Sequence, residues 1–288
     1  VEVTTDRSAQ PWGHFNVYPF RPDPATPGGS PPPFLNTAPR QIFRAARANN
    51  PDAFIQVNHP RMQPNIGYFE VMGLDPTTGR AQNPTYDPGF DAIEVFNDTD
   101  FTANESTTVA DWFSILNRGK VAWAVGSSDS HGLRGSPVGY PRTCLYLGTD
   151  DPRQLTANQV RDTLAAGHGS VSGGIYVTAT VGSAFPGDTV TGLGMQANVD
   201  VVVQAATWID VDAIDVVVDG EIVDTIPILP GDTDPTNPAV RWRGQIPIDV
   251  RADGSGFVVI AAYGDATLEP VHPGRTPFGV TNPIFVKP

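Results

Sequence analysis

A chain of 288 residues with 31 Asp and Glu against 18 Lys and Arg carries a formal charge of −13, which disfavours non-specific binding to nucleic acid or to an anionic membrane surface. Gly and Pro, 29 of each, follow no period and alternate with apolar runs, which argues against collagen and global disorder and for long structured loops. Cys144 stands alone, which excludes an intrachain disulfide framework and a cysteine-based zinc cluster, and no apolar run nears the ~20 residues of a membrane span.

The chain opens on "VEVTT" at Val1 without a signal-like segment, as expected of a processed chain or a piece of a longer one. "RPDPATPGGSPPPF" (21–34) reads as a Pro/Gly-rich loop. "RQIFRAARAN" (40–49) places apolar residues at 42, 43, 45 and 46, a helical stripe with Thr37 as a candidate N-cap. "DAFIQVNHP" (52–60) and "FDAIEVFN" (90–97) read as buried strands ending in polar residues. "TTVADWFSILNRG" (107–119) is a helix stopped by Gly119, and "KVAWAVGSSDSH" is the next strand. Cys144, in the strand-like "RTCLYLG", reads as a small core residue and not a nucleophile. "TANQVRDTLAAG" (156–167) is a further helix. Strands separated by helices of this length imply parallel βα units.

Near residue 170 the pattern changes to strands alone, from "SVSGGIYVTATVG" to "GFVVIAAYG", with Asp219-Gly220 as a type I′ hairpin signal. The expected organisation is an α/β domain over 1–172 followed by an antiparallel β-sandwich over 173–288.

In the α/β half, ligand-type residues sit where successive strands end: Glu2 in "VEVTT", His14 in "GHFN", His59 in "VNHP", Glu94 in "AIEVFN", and Asp129 with His131 in "GSSDSHG". Strand ends in a β/α architecture converge on one face, so such residues can meet. Asp129 and His131, two apart on an extended strand end, point the same way; a metal site, an acid/base pair and a plain turn all use this composition. Glu94 suits a buried hydrogen-bonding role behind the ligands. Arg61 and Arg134, just past two of these motifs, are either anion-binding or solvated surface. His168 and His272 lie in loops and are left outside the site, and Ser130 has no partner base.

"GHFN", "VNHPR", "AIEVFN" and "SDSHG", in this order, resemble the PHP (polymerase and histidinol phosphatase) metallohydrolases, and "VNHPR…GYFEVMGLDPTTG" with the closing "TPFGVTNPIFV" resemble their CehA/McbA-like branch. The resemblance implies a distorted (β/α)7 barrel followed by a β-sandwich, with metals at the strand C-termini. It implies Glu2 as a glutamate that can bridge two metals, and His14, His59, Asp129 and His131 as further metal ligands, with Asp129, His131 and His59 at the reacting centre. Two or three divalent ions (Zn, Mn or Fe) and a small-molecule phosphate, carboxylic or carbamic ester as substrate follow from it. The family also opens with a strand bearing His-x-His and, farther on, an Asp. This chain has no counterpart for them, so an N-terminal segment of the same precursor, pairing beside residues 1–5, is the expected partner. The alternative is a non-catalytic ligand- or carbohydrate-binding protein with a vestigial metal site.

Overall fold

Strict alternation of apolar and polar residues sets the first two strands of the first sheet. The computed structural model describes residues 1–62, 66–132, 138–254 and 256–288. "EVT" forms β1 (Glu2–Thr4) and "HFNVY" forms β2 (His14–Tyr18), with Val3, Phe15 and Val17 buried on one side. The Val1 ammonium donates to Val17 O at 2.7 Å and Val17 N–H to Val1 O at 2.8 Å, so β2 itself holds the first residues. Helix α1 (Pro39–Asn49) buries Ile42, Phe43 and Ala46. Its N-cap is Ala38 and not Thr37, whose hydroxyl donates to Leu35 O; Pro39 occupies the first helical position.

β3 (Phe54–Asn58) follows, then a short helix α2 (Tyr68–Met72) and the hairpin of β4 (Leu74–Asp75) with β5 (Arg80–Ala81). β6 (Ala92–Asn97) leads to α3 (Phe101–Asn104), capped by the Asp100 side chain, which accepts from Ala103 N–H at 2.8 Å. A wide π-type turn over Glu105–Val109 joins it to α4 (Ala110–Asn117), so helical structure begins six residues before the expected 107. β7 (Trp123–Ser127) completes a five-stranded sheet of order β1-β2-β3-β6-β7.

This sheet corrects the expectation of parallel βα units. β3 and β6 are parallel, but β2 runs antiparallel to both β1 and β3. No helix separates β1 from β2, and the β2–β3 connection contains the 21–34 loop as well as α1; a connection that long can return the chain in either direction.

The chain packs into two compact units: Val1–Val95, Ser106–Ala124 and Leu147–Ala165 in the first, and Phe96–Glu105, Val125–Tyr146 and Ala166–Pro288 in the second. The fold class is mixed α/β with strands predominating. In the first unit, edge-to-face contacts of Phe15 with Phe43 (5.1 Å) and Tyr68 (5.3 Å) tie β2, α1 and α2 together. Arg61, just beyond β3, donates from Nε to Asp111 Oδ2 (2.7 Å) and from Nη2 to Asp111 Oδ1 (2.5 Å) and Leu74 O (2.6 Å). Burial opposes the charge on Arg61, but the hydrogen bonds and charge of Asp111 outweigh it and raise its pKa.

In the second unit, β8 (Arg142–Leu145) pairs with β9 (Gly169–Ser172); α5 (Ala157–Ala166), between them in sequence, belongs to the first except for its last residue. Strands β10 (Ile175–Thr180), β11 (Thr189–Val190), β12 (Gln196–Ala205), β13 (Ala213–Val218), β14 (Glu221–Pro227), β15 (Val240–Asp249), β16 (Gly256–Tyr263), β17 (Phe278–Thr281) and β18 (Ile284–Val286) follow. They form a three-stranded sheet, β10-β12-β15, and a larger one, β11-β18-β16-β17-β9-β8, to which the β13–β14 hairpin adds. The hairpin turns on Asp219 (φ 53°) and Gly220 (φ 88°), the two left-handed residues that a type I′ turn requires. Cys144 is half-buried, and burial pushes its thiol pKa up.

Two predictions follow from this packing. Arg61→Ala strips a buried carboxylate of its partner and is expected to lower unfolding free energy by about 3–5 kcal/mol, read by urea denaturation, with Arg61→Lys recovering only part. A loss of about 1 kcal/mol or less, the range of exposed pairs, would show that Asp111 does not depend on it. The second concerns His272 of the second unit, buried beside the Tyr140 ring with no hydrogen-bond partner for Nδ1 among the described residues. Burial, then the charges of Arg142 and Arg275, hold its pKa below the ordinary 6.5, with Asp98 opposing. A lowered pKa means that the unfolded chain takes the proton first. The stability contributed by neutral His272 is therefore full above about pH 6.5 and lost as pH falls through the folded value. Denaturation at pH 7.5 and 5.5 should show a smaller acid loss in His272→Asn than in the unsubstituted chain.

Candidate functional site

In a sheet, residues directly opposite one another share a face. Thr4, His14 and Asn58 stand in one row across β1, β2 and β3, with Glu2 opposite Asn16 and Asn16 opposite Gln56 in the next. This face is polar, while Val3, Phe15 and Val57 line the other. Tyr18 Oη donates to Gln56 Oε1 (2.8 Å), Gln56 Nε2 to Asn58 Oδ1 (2.9 Å), and Asn58 Nδ2 to Glu2 Oε1 (3.3 Å). Burial pushes the Tyr18 phenol pKa up, and the carboxylates of Glu94 and Asp91 push it further.

The network ends on two imidazoles. Glu2 Oε1 lies 3.7 Å from His14 Nδ1, His14 Nδ1 lies 3.0 Å from His59 Nε2, and His14 Nε2 lies 2.6 Å from Asp6 Oδ1. His14 opens β2 instead of ending a strand, which corrects the strand-end reading. Because β2 is antiparallel, its first residue lies at the edge where β1 and β3 finish. Gly13, at φ 105° with Tyr68 N–H only 2.9 Å from where a Cβ would stand, has no room for a side chain.

His59 has φ 26°, a left-handed conformation that only a few per cent of residues other than Gly adopt. Continued extension would send its side chain to the face opposite Asn58; the left-handed backbone turns it back to His14, with ring centroids 4.7 Å apart. Its N–H donates to buried Glu94 Oε2 at 2.5 Å. Asp98, directly after β6, and Asp129, shortly after β7, are also left-handed at φ 48° and 42°. Backbone held in this region costs of order 1–3 kcal/mol per residue, and here it recurs just past three strands of one sheet.

Asp129 and His131 belong to the second unit. β7 ends at Ser127, so the pair is not on an extended strand end as expected, yet Asp129 Oδ1 and His131 Nε2 meet at 3.1 Å. The His131 side chain is 84% exposed. In the same unit, Asp98, whose N–H donates to Ser127 O at 3.1 Å, takes both Nε (2.8 Å) and Nη2 (2.5 Å) of Arg275.

No family model, curated protein or solved structure matches the chain. The site therefore stands on its own geometry. Glu2, His14 and His59 come together in the first unit, and Asp129 and His131 meet in the second. Arg61 is committed to Asp111, Leu74 O and, at 3.6 Å, Glu70. Arg134 lies outside the described residues. His168 Nε2 contacts Asp188 Oδ1 at 2.9 Å. Asp6, Tyr18, Gln56 and Asn58 were not foreseen. Gln56 and Asn58 had a signal, since they occupy alternate positions of an otherwise apolar strand; Asp6, in the turn "TDRS", had none.

Among the described residues, no three His, Cys, Asp or Glu side chains stand as a preformed metal-holding group; those of the first unit's cluster are engaged with one another. In kind, two imidazoles and two carboxylates suit a borderline divalent metal. Ligand atoms around a tetrahedral ion with bonds of roughly 2.0 Å stand about 3.3 Å apart. The 3.0 Å and 3.7 Å separations around His14 Nδ1 fall on either side of that value.

Glu94→Ala should leave the buried His59 N–H without its acceptor, at about 1–3 kcal/mol of stability, with Glu94→Gln milder. Thermal and urea denaturation check this. A Glu94→Ala chain as stable as the original would remove Glu94 from the support of His59.

Proposed function

We propose that the chain is a metal-dependent hydrolase of the PHP type, a barrel-like α/β domain with a β-sandwich after it, acting on a small-molecule phosphate, carboxylic or carbamic ester. The observation that carries this reading is the Glu2–Asp6–His14–His59 cluster on the polar face of the sheet. His14, His59 and Glu2 would hold a divalent ion such as Zn, Mn or Fe. Such an ion, when bound, lowers the pKa of a coordinated water and polarises the oxygen under attack.

The chain's own residues do the rest. Asp6, accepting from His14 Nε2–H, sets the tautomer that leaves Nδ1 as a donor atom. Asn58 steers Glu2, and Glu94 fixes the backbone of His59. Asp129 orients the His131 imidazole within the second unit, and by the same reading that pair binds metal or carries a proton. The same reading gives a second segment, bearing His-x-His and an Asp, a place beside β1, which ends the strand order of its sheet. A second reading, a ligand- or carbohydrate-binding protein with a vestigial metal site, is favoured by the mutual hydrogen bonding of the cluster.

Elemental analysis after metal-supplemented expression separates the two, with near-stoichiometric metal expected for the hydrolase and none for the binder. Hydrolysis of bis(p-nitrophenyl) phosphate and p-nitrophenyl acetate should fall roughly 10²-fold or more in Asp129→Ala and His131→Ala, and their metal content should drop. His168→Ala and His272→Ala should change both little. Equal, mild effects at all four positions would sink the assignment.

A further inference from the structure

Arginines near the first unit's loops divide into two groups. Arg40 pairs with Asp87 (3.1 Å), Arg47 with Asp91 (2.9 Å), and Arg61 with Asp111 (2.5 Å). Arg80, on β5, and Arg118, at the end of α4, have no acidic partner among the described residues. Together with Lys120, one of two lysines in the chain, they line a cleft of about 540 Å³. Asn83, Tyr86 and Ile115 line it as well. The acids around it are already engaged, Asp87, Asp91 and Asp111 by the arginines just named and Asp75 by Thr77 N–H and Thr78 Oγ1. Three cationic groups in a chain of charge −13 thus meet at one cleft, and none of them stands in an ion pair among the described residues.

Cations after a helix are often there to complement its C-terminal dipole. That accounts for Arg118 and Lys120 but not for Arg80, which comes from a hairpin, or Tyr86, from the loop beyond it. The walls are also close-packed. A Cβ on Gly79, in the hairpin turn, would stand 2.8 Å from both Arg118 Cδ and Ser114 O, so the turn lies directly on α4. Tyr86 stacks on Tyr68 at 5.6 Å, and Lys120 Nζ donates to Phe90 O at 2.7 Å and lies 5.5 Å from the centre of its ring. Burial lowers the Lys120 pKa, and an anion in the cleft would favour its charged form.

We propose that this cleft is an anion-binding site for a phosphate monoester whose organic part carries a ring. Guanidinium forks from Arg80 and Arg118 match phosphate oxygens, and three positive groups favour a dianion over a carboxylate. Tyr86, Pro84, Pro88 and Ile115 give an apolar wall for the ring, and the volume exceeds what bare phosphate fills. The site shares no residue with the His14–His59 cluster and does not depend on the hydrolase reading.

Phenylphosphonate, which a phosphate esterase cannot hydrolyse, is the probe. Calorimetric titration of the full chain at low salt and pH 8 should show saturable binding that weakens with added salt. Arg80→Ala and Arg118→Ala should each weaken it roughly ten-fold or more, and Tyr86→Ala a few-fold. Arg243→Ala, an exposed arginine on β15, and His59→Ala should leave the affinity unchanged, with thermal melts confirming that each variant is folded. Absence of saturation by about 10 mM, binding that survives the Arg80→Ala/Arg118→Ala pair, or loss in His59→Ala overturns the proposal. Tighter binding of benzoate than of phenylphosphonate overturns the assignment to phosphate.

Discussion

The cross-strand row Thr4–His14–Asn58 is the constraint on which the cluster depends. An extended chain sends alternate residues to opposite faces, so a register that buries Val3, Phe15 and Val57 on one side obliges Glu2, His14 and Asn58 to share the other. The apolar face thereby aims the polar one. A slip of one residue between β1 and β2 would expose Phe15 and bury His14 in its place, so hydrophobic burial at Phe15 and Val57 protects the placement of the imidazole. His59 escapes this rule through its left-handed backbone, and it reaches His14 because of that exception.

Elements with a long apolar period were legible in the sequence. α1, α5, β3, β6 and the Asp219-Gly220 hairpin lie where periodicity and turn chemistry put them, within a few residues. Strand direction was not legible, because alternation within β2 is the same whichever way its neighbours run. The start of the α3–α4 segment was missed because Asp100, its cap, sits in "NDTD", which also reads as a loop. Glu2, His14 and His59 were found as ligand-type residues near strand ends. Their contacts with Asp6 and Asn58 depend on register and on a left-handed residue, neither of which periodicity encodes. Asp129 and His131 do meet, but through the left-handed backbone of Asp129 and not through the extended geometry that suggested them.

Charge in the first unit is handled pair by pair. Asp87, Asp91 and Asp111 each hold an arginine, two of them from α1 and one from the loop after β3, so these three acids are neutralised locally where loops meet helices. The polar row beside His14 works differently: Gln56 and Asn58 are neutral, nearly buried and bonded to each other. A neutral row can pass hydrogen bonds from Tyr18 to Glu2 without the cost of desolvating a formal charge in the sheet.

β6 and β7 each begin in one compact unit and finish in the other, and neither unit is a continuous stretch of chain. During synthesis the first unit cannot close until α5 has left the ribosome, by which time the segments 96–105 and 125–146 of the second are already out and waiting for strands from 166 onward. The two units therefore do not emerge one after the other. A single cut anywhere between 96 and 165 severs both units at once, so neither can be obtained by simple truncation, and a nascent chain stalled there exposes unfinished edges of both.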